Sequence, residues 1–215
     1  MENKRTELVF ICDRSGSMCG LESDTIGGYN SMLKKQKELT GDCRVTTVLF
    51  DDQYELLHDR LDIQAVRPMT DKEYYVRGCT ALLDAIGKTI QKIAAVQRHS
   101  APEMRAEKVL FVIITDGMEN ASREYTAAQI KNMVKKEQTK YGWEFIFLGA
   151  NIDAIETAGG MGIAPERAVN YHADAKGTQL NYEAISHVAT CVRTGCPVTA
   201  DWKEAIDQDF ASRDW

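Results

Sequence analysis

The chain has 215 residues, of which 44% are hydrophobic, and a formal net charge of −6. That length fits one domain with an extension, or two small domains, with enough apolar material for a sizeable core. The acidic balance argues against a surface that tracks nucleic-acid phosphates, and no apolar run is long enough to span a membrane. The N-terminus, residues 1–7, is polar and lacks the pattern of a secretory signal. The six cysteines (Cys12, Cys19, Cys43, Cys79, Cys191 and Cys196) include no Cys-x-x-Cys pair, so a zinc ribbon is not expected. Reduced thiols in a cytoplasm are the default reading. Cys19 with Cys79, and Cys191 with Cys196, are each read as either plain thiols or a redox pair.

In chain order, residues 7–12 read as a first strand, continuously apolar as a strand covered on both faces should be. Ile26, Tyr29 and Leu33 recur at helical spacing towards Gly41. Residues 43–50 are β-branched and apolar, a second strand. Asp51-Asp52 reads as a hairpin turn into a third strand, residues 54–60, which is the antiparallel edge partner of the second. An irregular stretch with Pro68 leads to Gly78, where the missing side chain lets the backbone approach a neighbouring loop. From Thr80 onward, Leu82, Leu83, Ile86, Ile90 and Ile93 mark an amphipathic helix that the Thr80 hydroxyl could cap. Residues 109–115 form the most apolar strand.

Thr126 and Gln129 carry a capping-box signature for a helix with Ile130, Met133 and Val134 on its buried face and Gly142 at its end. Residues 143–150 are the next strand, Asp153 starts a short helix, and residues 169–171 are a weak last strand. Thr178 opens a helix with Leu180, Ile185, Val188 and Val192 on one side, ended by Gly195. This alternation predicts an α/β fold with a doubly wound, mostly parallel sheet, one antiparallel edge strand and helices on both faces. The domain is placed at residues 1–195. Residues 196–215 are read as an extension in which Asp201 caps a short helix with Trp202, Ala205 and Ile206 on one face. With Phe210 and Trp215, this segment either packs on the domain or docks a partner.

Three stretches fall at the carboxyl edge of the predicted sheet, where open α/β sheets hold their ligands. Asp13-Arg14-Ser15-Gly16-Ser17-Met18 follows the first strand and sets oxygen groups at alternate positions, Asp13, Ser15 and Ser17, in a turn that Gly16 relieves. The second stretch brings Thr80 to the start of a helix, and the third brings Asp116 to the end of the most apolar strand. Carboxylates mixed with neutral hydroxyls suit a hard cation. Jointly these residues resemble the von Willebrand factor A family and its metal-ion-dependent adhesion site. That family carries Asp-x-Ser-x-Ser, a later Thr, and an Asp ending a central strand. All five positions are matched at the family's spacing, over residues 7–150 well and over the remainder loosely.

The resemblance implies the Rossmann-like fold of that family in a stand-alone, bacterial-type, cytoplasmic form. It implies Mg²⁺ or Mn²⁺ held by Asp13, Ser15, Ser17, Thr80 and Asp116, partly through water, with one position left for a Glu or Asp of a protein partner. It further implies that ligand binding can shift the last helix, here residues 178–192. On this reading the chain is a binding module and not an enzyme. Met18, Cys19, Met118, Glu119 and Asn120 form the rim that selects the partner, which is neither nucleic acid nor membrane.

Two alternatives remain open at the level of sequence. A metal with an acidic cluster can hydrolyse phosphate esters, but that needs a cationic clamp and a base. Arg14 is the one cation in the first loop, and His58, His99, His172 and His187 fall outside all three stretches. Gly87-Lys88-Thr89 lacks the earlier glycine of a phosphate loop, and no Gly-x-Ser-x-Gly elbow occurs. The second alternative is a scaffold that uses no metal.

Overall fold

A computed structural model of the chain describes residues 5–213. The readings made on residues 1–4 and on Trp215 lie outside those described residues. Six strands, β1 (Thr6–Asp13), β2 (Cys43–Phe50), β3 (Tyr54–Asp62), β4 (Lys108–Thr115), β5 (Glu144–Gly149) and β6 (Ala168–Asn170), form one sheet in the order β3-β2-β1-β4-β5-β6. Every pairing is parallel except β2 with β3. Six helices surround it: α1 (Glu22–Lys37), α2 (Leu82–His99), α3 (Ala127–Tyr141), α4 (Ala154–Gly160), α5 (Ala175–Thr194) and α6 (Glu204–Ser212). The fold is the doubly wound α/β arrangement, with the antiparallel strand at one edge.

Continuous apolarity in β1 and β4 has a simple cause: both strands lie inside the sheet with a helical layer on each face. Leu8, Phe10 and Cys12 of β1 point to a core shared with Tyr29 and Leu33 of α1 and Ile185 and Val188 of α5. Val9 and Ile11 point to the opposite core, with Ile86 and Ile90 of α2 and Ile130 and Val134 of α3. α1 and α5 pack closely because Gly28 has no side chain. A Cβ there would lie 2.2 Å from Cδ2 of Tyr182.

β1 pairs with both β2 and β4, so the strand order reverses at β1 and β4. The loops leaving these two strands diverge and open a crevice at the carboxyl edge, the usual ligand position in such sheets. All three candidate stretches converge there.

Several boundaries differ from the sequence reading. α5 starts at Ala175 rather than Thr178, because the Asp174 carboxylate accepts the Gly177 N–H at 2.8 Å and caps the helix earlier. Asp201 does not cap: it sits in a short 3₁₀ turn and its carboxylate receives the Thr199 hydroxyl. α6 begins at Glu204. Trp202 and Ile206 join the α1/α5 core, and the Trp202 indole N–H donates to the Glu166 carbonyl at 2.8 Å. Among the described residues no helix is long and apolar enough to cross a membrane.

Candidate metal centre

β1 delivers Asp13 to the sheet edge, and the chain then turns through a 3₁₀ segment, Gly16–Met18. Oδ1 of Asp13 accepts the Ser15 N–H at 2.6 Å, and Oδ2 accepts the Thr115 hydroxyl at 2.6 Å. Ser15 Oγ lies 3.0 Å from Ser17 Oγ, and the Thr80 hydroxyl donates to Ser15 Oγ at 2.9 Å. Thr80 therefore does not cap α2. Its hydroxyl belongs to the crevice.

Gly78 brings the second loop in. Its carbonyl accepts the Gly16 N–H at 3.2 Å. At φ +66°, with Oδ1 of Asp52 only 2.5 Å from where a Cβ would sit, no other residue fits without strain. β4 delivers Asp116, whose Oδ1 accepts the side-chain amide of Asn151 from the loop after β5. Gly117 then passes so close to the hydroxyls that a Cβ would sit 2.8 Å from Ser17 Oγ and 2.9 Å from Thr80 Oγ1. Asp13, Ser15, Ser17, Thr80 and Asp116, more than 100 residues apart at the extremes, thus share one crevice.

The electrostatics of that crevice are unbalanced. Asp13 and Asp116 are 1% and 2% exposed. Burial, reinforced by the Asp13 charge and opposed by the Asn151 amide, pushes the Asp116 carboxyl up to about 6. Burial likewise raises Asp13, against the hydrogen bonds from Thr115 and Ser15. Among the described residues neither carboxylate is ion-paired. Arg14, lying between the two candidate ligands Asp13 and Ser15, faces away. It is fully buried, with Nε 3.0 Å from Asp51 Oδ2 and Nη2 2.7 Å from Glu55 Oε2.

Two buried carboxylates with no ion-pair partner among the described residues, beside a Ser15 hydroxyl that touches those of Ser17 and Thr80, are the donor set of a hard cation. The residues present therefore fit Mg²⁺ or Mn²⁺. Among the described residues no three His, Cys, Asp or Glu side chains gather as a metal-holding group. An ion held here would depend on the hydroxyls as well as the carboxylates, and that mix favours hard over soft ions.

The five residues assigned to the rim are not equivalent. Met118 is 72% exposed, and Cys19 is exposed beside the first loop. Met18 is a correction: it is buried at 2%, because the 3₁₀ turn rotates it inward from Ser17. Glu119 is turned to a structural task. Its carboxylate accepts N–H groups of Leu83, Ala121 and Ser122 at 2.9, 3.0 and 2.7 Å, pinning the loop to the start of α2. Asn120 is exposed, and its Oδ1 accepts the Thr80 N–H at 2.9 Å, which presents Thr80 to the crevice. Three supporting residues were not read from sequence: Thr115, Asn151 and Asp51. Asn151 carried a weak signal, an Asn just past a strand end at the ligand-holding edge. There it adopts φ +55°, a conformation Asn tolerates.

No family profile and no curated protein sequence matches the chain. Solved structures do. Proximal thread matrix protein 1 from the mussel byssus, with a zinc-occupied MIDAS motif, aligns with TM-score 0.59 at 15% identity over 86% of this chain and 46% of its own. A von Willebrand factor type A structure from Catenulispora acidiphila aligns with TM-score 0.56 at 12% identity over 85% and 42%. The manganese-loaded TRAP protein of Plasmodium vivax aligns with TM-score 0.51 at 18% identity over 69% and 58%. The chain spans about half the length of these proteins. Strand order, edge-strand direction and these alignments agree, and the chain has the von Willebrand factor A fold.

Proposed function

We propose that this chain is a metal-dependent protein-binding module. Asp13, Ser15, Ser17, Thr80 and Asp116 would hold Mg²⁺ or Mn²⁺, and a Glu or Asp side chain of a protein partner would complete the ion's shell. The bound ion supplies positive charge and Lewis acidity towards an external carboxylate. The carrying observation is the uncompensated pair of buried carboxylates, Asp13 and Asp116, beside the contiguous hydroxyls of Ser15, Ser17 and Thr80. Two neighbouring structures are described with zinc or manganese, which supports a divalent ion in this fold without choosing one for this chain.

The chain's own groups divide the work. Asp13 is fixed by Thr115 and the Ser15 N–H, and Asp116 by Asn151, so both carboxylates are preorganised. Ser17 is the exposed member of the set and opens the crevice to solvent. Met118 stands beside it as an apolar contact for whatever approaches. A binding role is favoured over phosphoester hydrolysis because Arg14, the one cation of the first loop, is committed to Asp51 and Glu55.

The test is the melting temperature in chelator and again in Mg²⁺ or Mn²⁺, for the native chain and for Thr80→Val. That substitution keeps the buried shape and deletes one hydroxyl. The expected result is a metal-dependent rise in the native chain that Thr80→Val loses, followed by metal-dependent capture of an acidic peptide by the native chain alone. A rise of equal size in both proteins would place the ion elsewhere.

A further inference from the structure

Away from the crevice, the C-terminal end of α5 carries a second piece of chemistry. Gly195 takes the left-handed conformation at φ +76° and ends the helix. Its N–H donates to the Val192 carbonyl at 3.3 Å, and the next N–H, that of Cys196, reaches back to the Cys191 carbonyl at 2.8 Å. This pair of bonds is the Schellman motif. Its customary companion is a side-chain contact between the two residues joined by the longer bond. Here both of those residues are cysteines. The 2.8 Å bond makes the two cysteines direct backbone neighbours, and a disulfide asks for neighbours of that kind, with Cα atoms about 4.4–6.8 Å apart.

The surroundings are chemically apt. Cys191 is partly exposed and Cys196 exposed, so both are open to small reagents. Cys191 Sγ lies 3.6 Å from His187 Nε2, one helical turn back. The Thr194 hydroxyl lies 3.4 Å from Cys196 Sγ and donates towards it.

We propose that Cys191 and Cys196 form a reversible intrachain disulfide, a thiol-exchange site that staples the end of α5 to the segment leading into α6. The co-reactant is a low-molecular-weight disulfide such as oxidised glutathione. Cys196, as its thiolate, attacks one sulfur of that disulfide; the S–S bond breaks and one small thiolate leaves. Cys191 then gives its proton to Nε2 of a neutral His187, attacks Cys196 Sγ and expels the second small thiolate, which takes up the proton. Two protein thiols and one small disulfide become one protein disulfide and two small thiols. This order fits the environment, since burial and the nearby charges of Cys196 and Asp201 push the Cys191 thiol up and make it the slower first attacker.

The experiment equilibrates the full chain with reduced and oxidised glutathione at set ratios, then blocks free thiols and digests with trypsin. Cleavage after Arg193 places the two cysteines on separate peptides, so the bond reads as a cross-linked pair that reductant dissolves. The expected result is that pair, with an exchange constant about tenfold larger in the folded chain than in urea, because a preformed turn replaces a flexible one. His187→Gln is expected to slow closure without changing the equilibrium. Equal constants in folded and unfolded chain would overturn the proposal, as would Cys196 trapped as a mixed disulfide beside a free Cys191. Either result would mean that the helix end does not bring the thiols together.

Discussion

Replacing Asp116 by Asn is expected to strengthen the metal-free chain and abolish its response to metal. The Asp116 carboxyl has an ordinary value of 3.8 and is pushed up to about 6 by burial and the Asp13 charge. A shift of that size corresponds to about 3 kcal/mol of destabilisation of the ionised form. Because solvent reaches the crevice at Ser17, about 2 kcal/mol is the better figure. For a chain of this length that is about 4–8 °C in melting temperature.

The sign follows from linkage. A carboxyl whose folded value is raised favours the fold fully below the unfolded value of 3.8 and loses that contribution as pH rises through about 6. In chelator, native and variant should therefore differ little near pH 4, with the variant ahead by pH 7. Asn keeps an oxygen that can still accept the Asn151 amide, so the local geometry survives. Adding Mg²⁺ or Mn²⁺ at a hundredfold excess over Kd should then stabilise the native chain by about 2.7 kcal/mol and leave Asp116→Asn unmoved. Scanning calorimetry across pH in chelator and in metal reads both effects. A variant that melts below the native chain in chelator at pH 7, or that gains as much from metal, refutes the charge-balance reasoning.

Three further substitutions test separate parts of the architecture. Gly117→Ala places a methyl 2.8–2.9 Å from the Ser17 and Thr80 hydroxyls; calorimetric metal affinity should fall at least about tenfold while the chelator melting temperature changes by little. Gly28→Ala drives a Cβ into the Tyr182 ring at 2.2 Å, and should cost about 1–3 kcal/mol in urea unfolding by prying α1 from α5. Asp84→Ala removes the carboxylate that accepts N–H groups of Arg123, Glu124 and Tyr125, each at 2.9 Å, and should cost about 2–4 kcal/mol. Burial alone would raise Asp84, but those N–H donors and Lys88 bring it below its ordinary 3.8. Its stabilisation is therefore present above that value and lost as pH falls through the lowered one, so the Asp84→Ala deficit should shrink in acid.

What sequence could reveal divides along a physical line. β1 and β4 were legible because burial on both faces demands unbroken apolar residues, and that demand is local. The capping box of α3 was legible for the same reason, since Thr126 and Gln129 satisfy each other across three residues. The five crevice residues could be named because their spacing matched a known pattern. The residues that hold them in place could not. Asp51 looked like a polar hairpin residue, yet it is fully buried, and its partners Arg14 and Arg77 lie 37 and 26 residues away. Glu119 looked like a rim carboxylate, but it accepts the Leu83 N–H of α2, which only the fold brings near. Met18 was misplaced because a 3₁₀ turn does not keep the alternation of the strand before it.

Arg14 shows why the first loop is more than a source of oxygens. Asp13 and Ser15 face the crevice, and the residue between them faces the opposite way. There the guanidinium bonds Asp51 and, at 3.3 Å, the Glu73 carbonyl, and it is ion-paired with Glu55. Asp51 also binds Arg77 at 2.6 Å, and both guanidinium groups lie over the Tyr75 ring, at 5.3 and 5.4 Å. The Arg77 N–H donates to the Arg14 carbonyl at 2.9 Å, and the Tyr74 hydroxyl to the Asp13 carbonyl at 2.5 Å. The long irregular segment before α2 is thus clamped onto the first loop, and Gly78, Cys79 and Thr80 lie near its end. A buried ion pair of this kind is a weak source of net stability, and breaking it by removing one partner is costly because it strands a buried charge, so the segments it joins are held to one another. The Asp-x-Ser-x-Ser motif therefore works on two sides. Its odd positions supply oxygens to the crevice, and Arg14 fixes the segment that brings Thr80 to join them.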